Sequence, residues 1–279
     1  GTSLDGIDAA LIVSDGLQLI ETGAVESFPY DPFFREKLRS CLGKLPVDPT
    51  VLEVNEELTS RHIMAVMDVL EKNNLEATDI DLVGFPGHTI LHRPKDHLTA
   101  QIGNPAKLAK ETGIRVIGDF RSNDVIHGGE GAPLAPLFHH AIFADIEKPL
   151  AVLNIGGVAN VTWIGEGGDF ENPNLIAFDT GPGNALIDDW VRKTIGCSMD
   201  EGGRLAHSGT VQEGILDGLL ENPFFSRNPP KSLDRDDFAS AIQAVSELSV
   251  EDGAATLSAL SVHSIGKAQR FFPEKIKRW

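Results

Sequence analysis

The stretch from Leu153 to Asn184 limits what this chain can become more than any other. It reads LNIGGVANVTWIG, then a short variable patch, then FDTGPGN. The apolar run Leu150 to Ile155 has the length and residue types of a buried strand, and it runs directly into Gly156-Gly157. Two adjacent glycines permit a tight reversal and leave backbone N–H groups bare enough to approach an anion. Val158 to Trp163 resumes a β-like pattern, so the two runs read as a hairpin. Ile176-Ala-Phe178 ends in Asp179-Thr-Gly-Pro-Gly-Asn184, which leads into a helical pattern from Ala185 to Ile195. A carboxylate at the C-terminal end of a strand, with a Gly/Pro loop and a helix start behind it, is a place where phosphate binding and acid–base chemistry meet. Either loop alone fits a well-made turn equally well. Two close together, with a third at the N-terminus, favour the chemical reading.

That third loop, Gly1-Thr-Ser-Leu-Asp-Gly6, combines hydroxyls, a carboxylate and glycines. Ile7 to Val13 and Leu17 to Phe28 read as strands joined by a turn at Asp15-Gly16. Such a loop can present donors to phosphates, and Asp5 is a candidate magnesium ligand through water. It is neither a P-loop nor the G-x-G-x-x-G of dinucleotide folds. Helix-period apolar positions over 33–42 and 50–73 predict packing helices, and Ile80 to Phe85 a short buried strand. His88 and His92 would share a side only in a helix, and Pro86 and Pro94 argue against one, which leaves His88 and Thr89 as polar ligand contacts rather than a metal pair. A strand over 98–102, a helix over 104–112 and a strand over 115–117 follow. Arg121, just past that strand, is placed to fork onto a carboxylate or phosphate, the alternative being a salt bridge to Asp119 or Asp124. The run Gly128 to Gly131 reads as a flexible cover or hinge. A helix is expected over 133–145, with His139-His140 packing or capping there, and a domain boundary over Ile146 to Pro149, giving domains 1–147 and 148–279. Further helices are expected over 211–220 and 252–272, and Lys231 in Pro229-Pro-Lys-Ser232 reads as an exposed lysine, a ligand contact being the alternative.

The 41 acidic against 24 basic residues, a net charge of -17, argue against nucleic-acid and anionic-membrane partners, which need a basic footprint. They leave an anionic substrate open, because backbone N–H groups and a metal can hold phosphate locally. Cys41 and Cys197 are too few for a disulfide framework or a cysteine zinc site, and a reduced cytoplasmic setting is expected. No apolar run approaches the ~20 residues that span a bilayer. The chain opens on a glycine loop with no strand before it and stops soon after its last helix, so both ends are expected to be truncated.

Two α/β halves, each opening with a glycine loop beside a hairpin, suggest a nucleotide held in a cleft between them. Asp179, beside glycine N–H groups, is the natural base and is expected to stay ionised at neutral pH. GTSLDGID, TAQIGNPAKLAKETGIRVIGDFRSNDV, GGEGAPLAP, LNIGGVANVT and FDTGPGN together resemble the anhydro-N-acetylmuramic acid kinases, bacterial members of the sugar kinase/actin/Hsp70 ATPase superfamily. The resemblance runs over essentially the whole chain. It implies a two-domain actin-like ATPase (ribonuclease H-like) α/β fold with a central interdomain cleft. It also implies an ATP- and Mg2+-dependent reaction in cell-wall recycling in the cytoplasm. In that reaction water opens 1,6-anhydro-N-acetylmuramic acid and the freed 6-oxygen takes the γ-phosphoryl group.

By the same likeness Gly1, Thr2, Ser3, Leu4, Asp5, Gly6, Ile7 and Asp8 form the first ATP-phosphate loop, and Asn154, Gly156, Gly157 and Asn160 the second. Asp179 activates the water. Thr89, His88, Arg121, Gly181 and Asn184 hold the sugar, with Arg121 reaching the lactyl carboxylate. A homodimer is implied as well. Where the family usually reads His-Gly-Gln-Thr this chain has Pro86-Gly-His-Thr89, so His88 stands as the substitute. The family's segment beyond the last helix is absent, and weak or no turnover is expected of the sequence as it stands. The competing readings are a kinase of the same superfamily acting on another sugar and a non-catalytic sugar- or nucleotide-binding regulator. A histidine-based metallohydrolase is the weakest of the alternatives.

Overall fold

The computed structural model describes residues 4–169, 172–233 and 235–279; the expectations for Gly1, Thr2 and Ser3 lie outside them. By contact the chain divides into two compact units, Gly1–Ala132 and Pro133–Trp279. The expected boundary at 147/148 lies further along the chain, and residues 133–147 pack with the second unit.

In the first unit, β1 (Gly6–Ser14) and β2 (Leu19–Pro29) pair antiparallel. Asp15 builds their turn, its carboxylate accepting from the N–H of Leu17 at 2.8 Å and of Gln18 at 2.7 Å. Helices α1 (Pro32–Cys41) and α2 (Pro49–Lys72) each begin with proline behind an aspartate cap. Asp31 accepts from Phe34 N at 2.9 Å and Asp48 from Thr50 N at 2.8 Å. Proline costs little at that position, where its missing N–H has no helical partner. The helices bury Phe34, Leu38, Val51, Val54 and Leu58 in one core with Leu4 and Ile7; of the stripe read for the second helix, Val54, Leu58 and Leu70 are buried while Leu52 and Met67 are exposed.

Next come β3 (Val83–Phe85), β4 (His88–Arg93), β5 (Leu98–Ile102), α3 (Pro105–Thr112), β6 (Val116–Gly118) and α4 (Ser122–Ile126). β3 and β6 pair in parallel, β4 and β5 antiparallel. The absence of a helix around His88 agrees with the proline argument, but the strand there was not anticipated. Its ladder is supplied by β5 through pairs such as His88↔Ile102, and that partner is invisible in a local window.

The second unit opens with α5 (Ala135–Ile142), then β7 (Leu150–Ile155), β8 (Val158–Gly168) and β9 (Pro173–Pro182), an antiparallel sheet in that order. α5 packs on β8 and β9, with His139 Nδ1 2.9 Å from Thr162 Oγ1, so the histidine packs as expected. Helices α6 (Ala185–Ile195), α7 (Arg204–Ser208), α8 (Glu213–Leu220), α9 (Ser240–Ala244) and α10 (Val250–Ala268) follow. α6, α8 and α10 share a core built on Leu186, Trp190, Leu216, Leu257 and Leu260. A smaller core joins Ala151, Val161 and Phe178 of the sheet to Ala268.

The chain is thus a mixed α/β protein of helices and small sheets. Among the described residues no helix is long and apolar enough to cross a membrane. Both cysteines are free, Cys41 buried and Cys197 exposed.

Candidate active site

The Gly156-Gly157 turn joins β7 to β8 as the hairpin reading expects. Neither glycine uses a positive φ. What the sequence provides here is room: a Cβ on Gly157 would stand 3.4 Å from Ala185 Cβ. Gly183 is tighter, since a Cβ there would meet the Gly156 carbonyl oxygen at 2.3 Å. That bare approach lets the two glycine loops lock together. Gly183 N donates to Gly157 O at 2.9 Å, Asn184 N to Gly156 O at 2.8 Å, and Asn184 Nδ2 to Ile155 O at 3.2 Å. Asn184 therefore ties the loops to the start of α6. Gly181 is also constrained, because a Cβ would meet Ser264 Oγ at 2.6 Å.

The strand register explains why separated residues converge. Asn154, Asn160 and Asp179 are successive cross-strand partners on β7, β8 and β9, so they form one row on one face. The neighbouring row, Leu153, Val161 and Phe178, faces the other way, with Val161 and Phe178 in the core. The sequence reading ended the third strand at Phe178. In the structure β9 continues to Pro182, because Ala159 pairs with Gly181 and Val158 with Pro182. Asp179 thus sits within a strand and not in a loop.

Residues 231–233 run beside Asp179 and hold it at two points. Asp179 N donates to Lys231 O at 3.1 Å, and Leu233 N donates to Asp179 Oδ2 at 2.8 Å. Burial pushes the Asp179 carboxyl up to about 6, against the Leu233 N–H and the Lys231 charge, both of which favour the carboxylate. At neutral pH it is still mostly ionised, as expected, but its affinity for a proton is much greater than that of a free aspartate. Such a carboxyl suits a general base. Lys231, read from the sequence as exposed, is only 4% exposed. Its burial depends on the rings of Phe178 and Phe271, far away in sequence, together with that of the nearer Phe224.

In the first unit, Leu4 and Ile7 are core residues at 4% and 8% exposure. Asp8 accepts from Ser27 Oγ at 2.6 Å across the β1–β2 pair. These side chains serve the packing and pairing of β1. The exposed Asp5 carboxylate accepts from Gly6 N at 3.0 Å. No group of three or more His, Cys, Asp or Glu side chains that could hold a metal occurs among the described residues.

Thr89 Oγ1 accepts from Gln101 Nε2 at 3.3 Å. His88 is 5% exposed, its Nε2 lacks a hydrogen-bond partner, and burial pushes its pKa down to about 4, so the ring is neutral. Arg121 forms no ion pair with Asp119 or Asp124. Its Nη1 donates to Gly131 O at 2.6 Å, while Asp124 Oδ2 accepts from Gly131 N at 2.7 Å. The run Gly128 to Gly131, expected to be flexible, is therefore pinned at Gly131 from both sides.

A model of the family described as "Anhydro-N-acetylmuramic acid kinase" matches residues 1–278. The chain is similar to proteins of that name from Zymomonas mobilis (46% identical, 99% of this chain and 76% of the relative) and Paramagnetospirillum magneticum (46%, 100% and 77%). A third, from Agrobacterium fabrum, is 43% identical over 100% of this chain and 76% of its own length. Matched along its length by the family and its members, the chain belongs to the anhydro-N-acetylmuramic acid kinase family.

Proposed function

We propose that the chain carries out the reaction expected of its family: ATP-dependent, hydrolytic opening of 1,6-anhydro-N-acetylmuramic acid with phosphorylation of its 6-oxygen. The products are N-acetylmuramic acid 6-phosphate and ADP. The observation that carries the reading is Asp179, a half-buried carboxyl on β9 poised near 6 beside interlocked glycine loops. In this scheme Asp179 takes a proton from water as the water attacks the anomeric carbon. The bond from that carbon to the 6-oxygen breaks, and the 6-oxygen attacks the γ-phosphorus as ADP leaves in line.

The Asn154–Asn160 row and the N–H groups of the Gly156-Gly157 turn are the proposed phosphate cradle, with residues 4–8 as its counterpart. Thr89, His88, Arg121, Gly181 and Asn184 are the proposed sugar contacts. The unmatched Nε2 of His88 supports its inclusion, because a buried polar atom without a partner is costly. Mg2+ fits the exposed carboxylate of Asp5 through water. The chain offers no dedicated metal cage among the described residues, and magnesium is commonly held by one or two carboxylates plus the substrate's phosphates. When bound it supplies charge neutralisation on those phosphates. The finer fold assignment, a two-domain actin-like ATPase, belongs to the same proposal and is supported by the antiparallel hairpin early in each unit. A cytoplasmic homodimer completes it.

The test is a coupled ADP-release assay with ATP, magnesium and 1,6-anhydro-N-acetylmuramic acid, run beside N-acetylmuramic acid and N-acetylglucosamine. ADP release with the anhydro-sugar alone is expected. Release with the open sugars in preference to it would overturn the substrate assignment.

A further inference from the structure

Lys231 is a buried lysine that the reaction scheme above does not use. Its ammonium lies 4.5 Å from the ring centres of Phe224 and of Phe271 and 5.6 Å from that of Phe178. It donates to the Phe224 carbonyl at 3.2 Å and, among the described residues, forms no ion pair. Three ring faces and one carbonyl are the environment that replaces water for this charge. Such a cage holds the side chain in one place, and that side chain anchors the strap that grips Asp179 twice.

The rings come from three separate places: Phe178 from β9 itself, Phe224 from the turn Pro223–Ser226 and Phe271 from the turn after α10. The cage thus clamps the 231–233 strap, the strand carrying Asp179 and the C-terminal end of α10 to one another. Among the described residues, the other charges acting on Lys231 are Arg270, Arg227 and Asp179. Arg270 is itself occupied, donating to the Phe225 carbonyl.

We propose that Lys231 is a positioning residue for the candidate base: caged by Phe178, Phe224 and Phe271, it fixes the 231–233 strap against β9 and supplies the positive charge that keeps the Asp179 carboxylate ionised and aimed. This deepens the reading of Asp179 as the base and rests on it. The arrangement is reciprocal. Burial pushes the Lys231 ammonium down to about 8, and Asp179 acts in the opposite direction. Each group is therefore expected to register the other's titration.

The experiment follows the Asp179 carboxyl by 13C NMR in the intact protein, with its signal assigned through Asp179→Asn. In the wild type the signal is expected to show a main inflection and a second, smaller one as Lys231 titrates. In Lys231→Met, which keeps length and apolar bulk but loses the charge, the main inflection is expected to move up by about half a pH unit or more. The acid limb of kcat/KM for the anhydro-sugar should move with it, lowering kcat/KM about twofold or more near pH 6, while KM for both substrates at pH 7.5 stays within about twofold. A Lys231→Met carboxyl that titrates with the wild type would overturn the proposal. If that variant does not fold by circular dichroism, the wild-type titration decides, and a lone inflection overturns it. NMR coupling in a wild type that releases no ADP with the anhydro-sugar would leave the Lys231–Asp179 pair standing and remove the reaction assigned to it.

Discussion

Replacing Asp179 with Asn tests the central residue through two independent readouts. The carboxyl rises from the usual 3.8 to about 6 on folding. Because the folded pKa is raised, the native state is favoured by protonation. That advantage is full below about pH 4 and is lost as pH rises through about 6. At 1.36 kcal/mol per pH unit, the ionised carboxylate costs unit 2 about 3 kcal/mol at pH 7.5 and about 1 kcal/mol at pH 4.5. Asparagine has nearly the same shape, keeps an oxygen for the Leu233 N–H and carries no charge to desolvate. Asp179→Asn is thus expected to be more stable than the wild type at pH 7.5, by about 3 kcal/mol at most, with the difference shrinking towards pH 4.5. Urea unfolding followed by tryptophan fluorescence reads this directly, since Trp163, Trp190 and Trp279 all lie in the second unit. The same variant loses the base, and kcat should fall about 10²–10⁴-fold. A variant less stable than the wild type at pH 7.5, or one with the same difference at both pH values, would refute the claim that burial strains this carboxylate. Retention of more than about 1% of the activity would refute its role as the base.

Other expectations can be checked with the same preparations. The wild-type kcat/KM for the anhydro-sugar should fall below a midpoint near pH 6 with a one-proton slope, as the Asp179 carboxylate is protonated; a flat profile down to pH 5 would count against it. Gly183→Ala places a methyl group 2.3 Å from a backbone oxygen that cannot swing aside. It should cost about 1–3 kcal/mol in a urea melt and weaken ATP binding by calorimetry, whereas an unchanged melt would show that the loops have slack. Arg121→Ala removes the donor to the Gly131 carbonyl, and steady-state kinetics should show KM for the anhydro-sugar up about tenfold or more with KM for ATP within about twofold.

Much of this protein was determined locally. The β1–β2 hairpin needed only alternation and an Asp-Gly turn, α1 and α2 only a helical stripe behind Asp-Pro, and the β7–β8 hairpin only Gly156-Gly157 between two apolar runs. Asp179 stood out for the same reason, since a carboxylate closing a strand ahead of Gly-Pro-Gly is visible in a short window. What the tertiary structure decided depends on partners far away in sequence. β4 exists because β5 completes its ladder, and β9 runs on to Pro182 because β8 pairs with it there. The Gly128 to Gly131 run is held because Arg121 and Asp124 both reach Gly131. The clearest case is Lys231, which looks like a surface residue when read alone. Phe178 and Phe271 bracket it in sequence at long range, and only folding brings their rings around its ammonium. Burial and charge environment are sums over the whole fold, so the proton affinity of Asp179 was set there, while its identity as a candidate was already written in the chain.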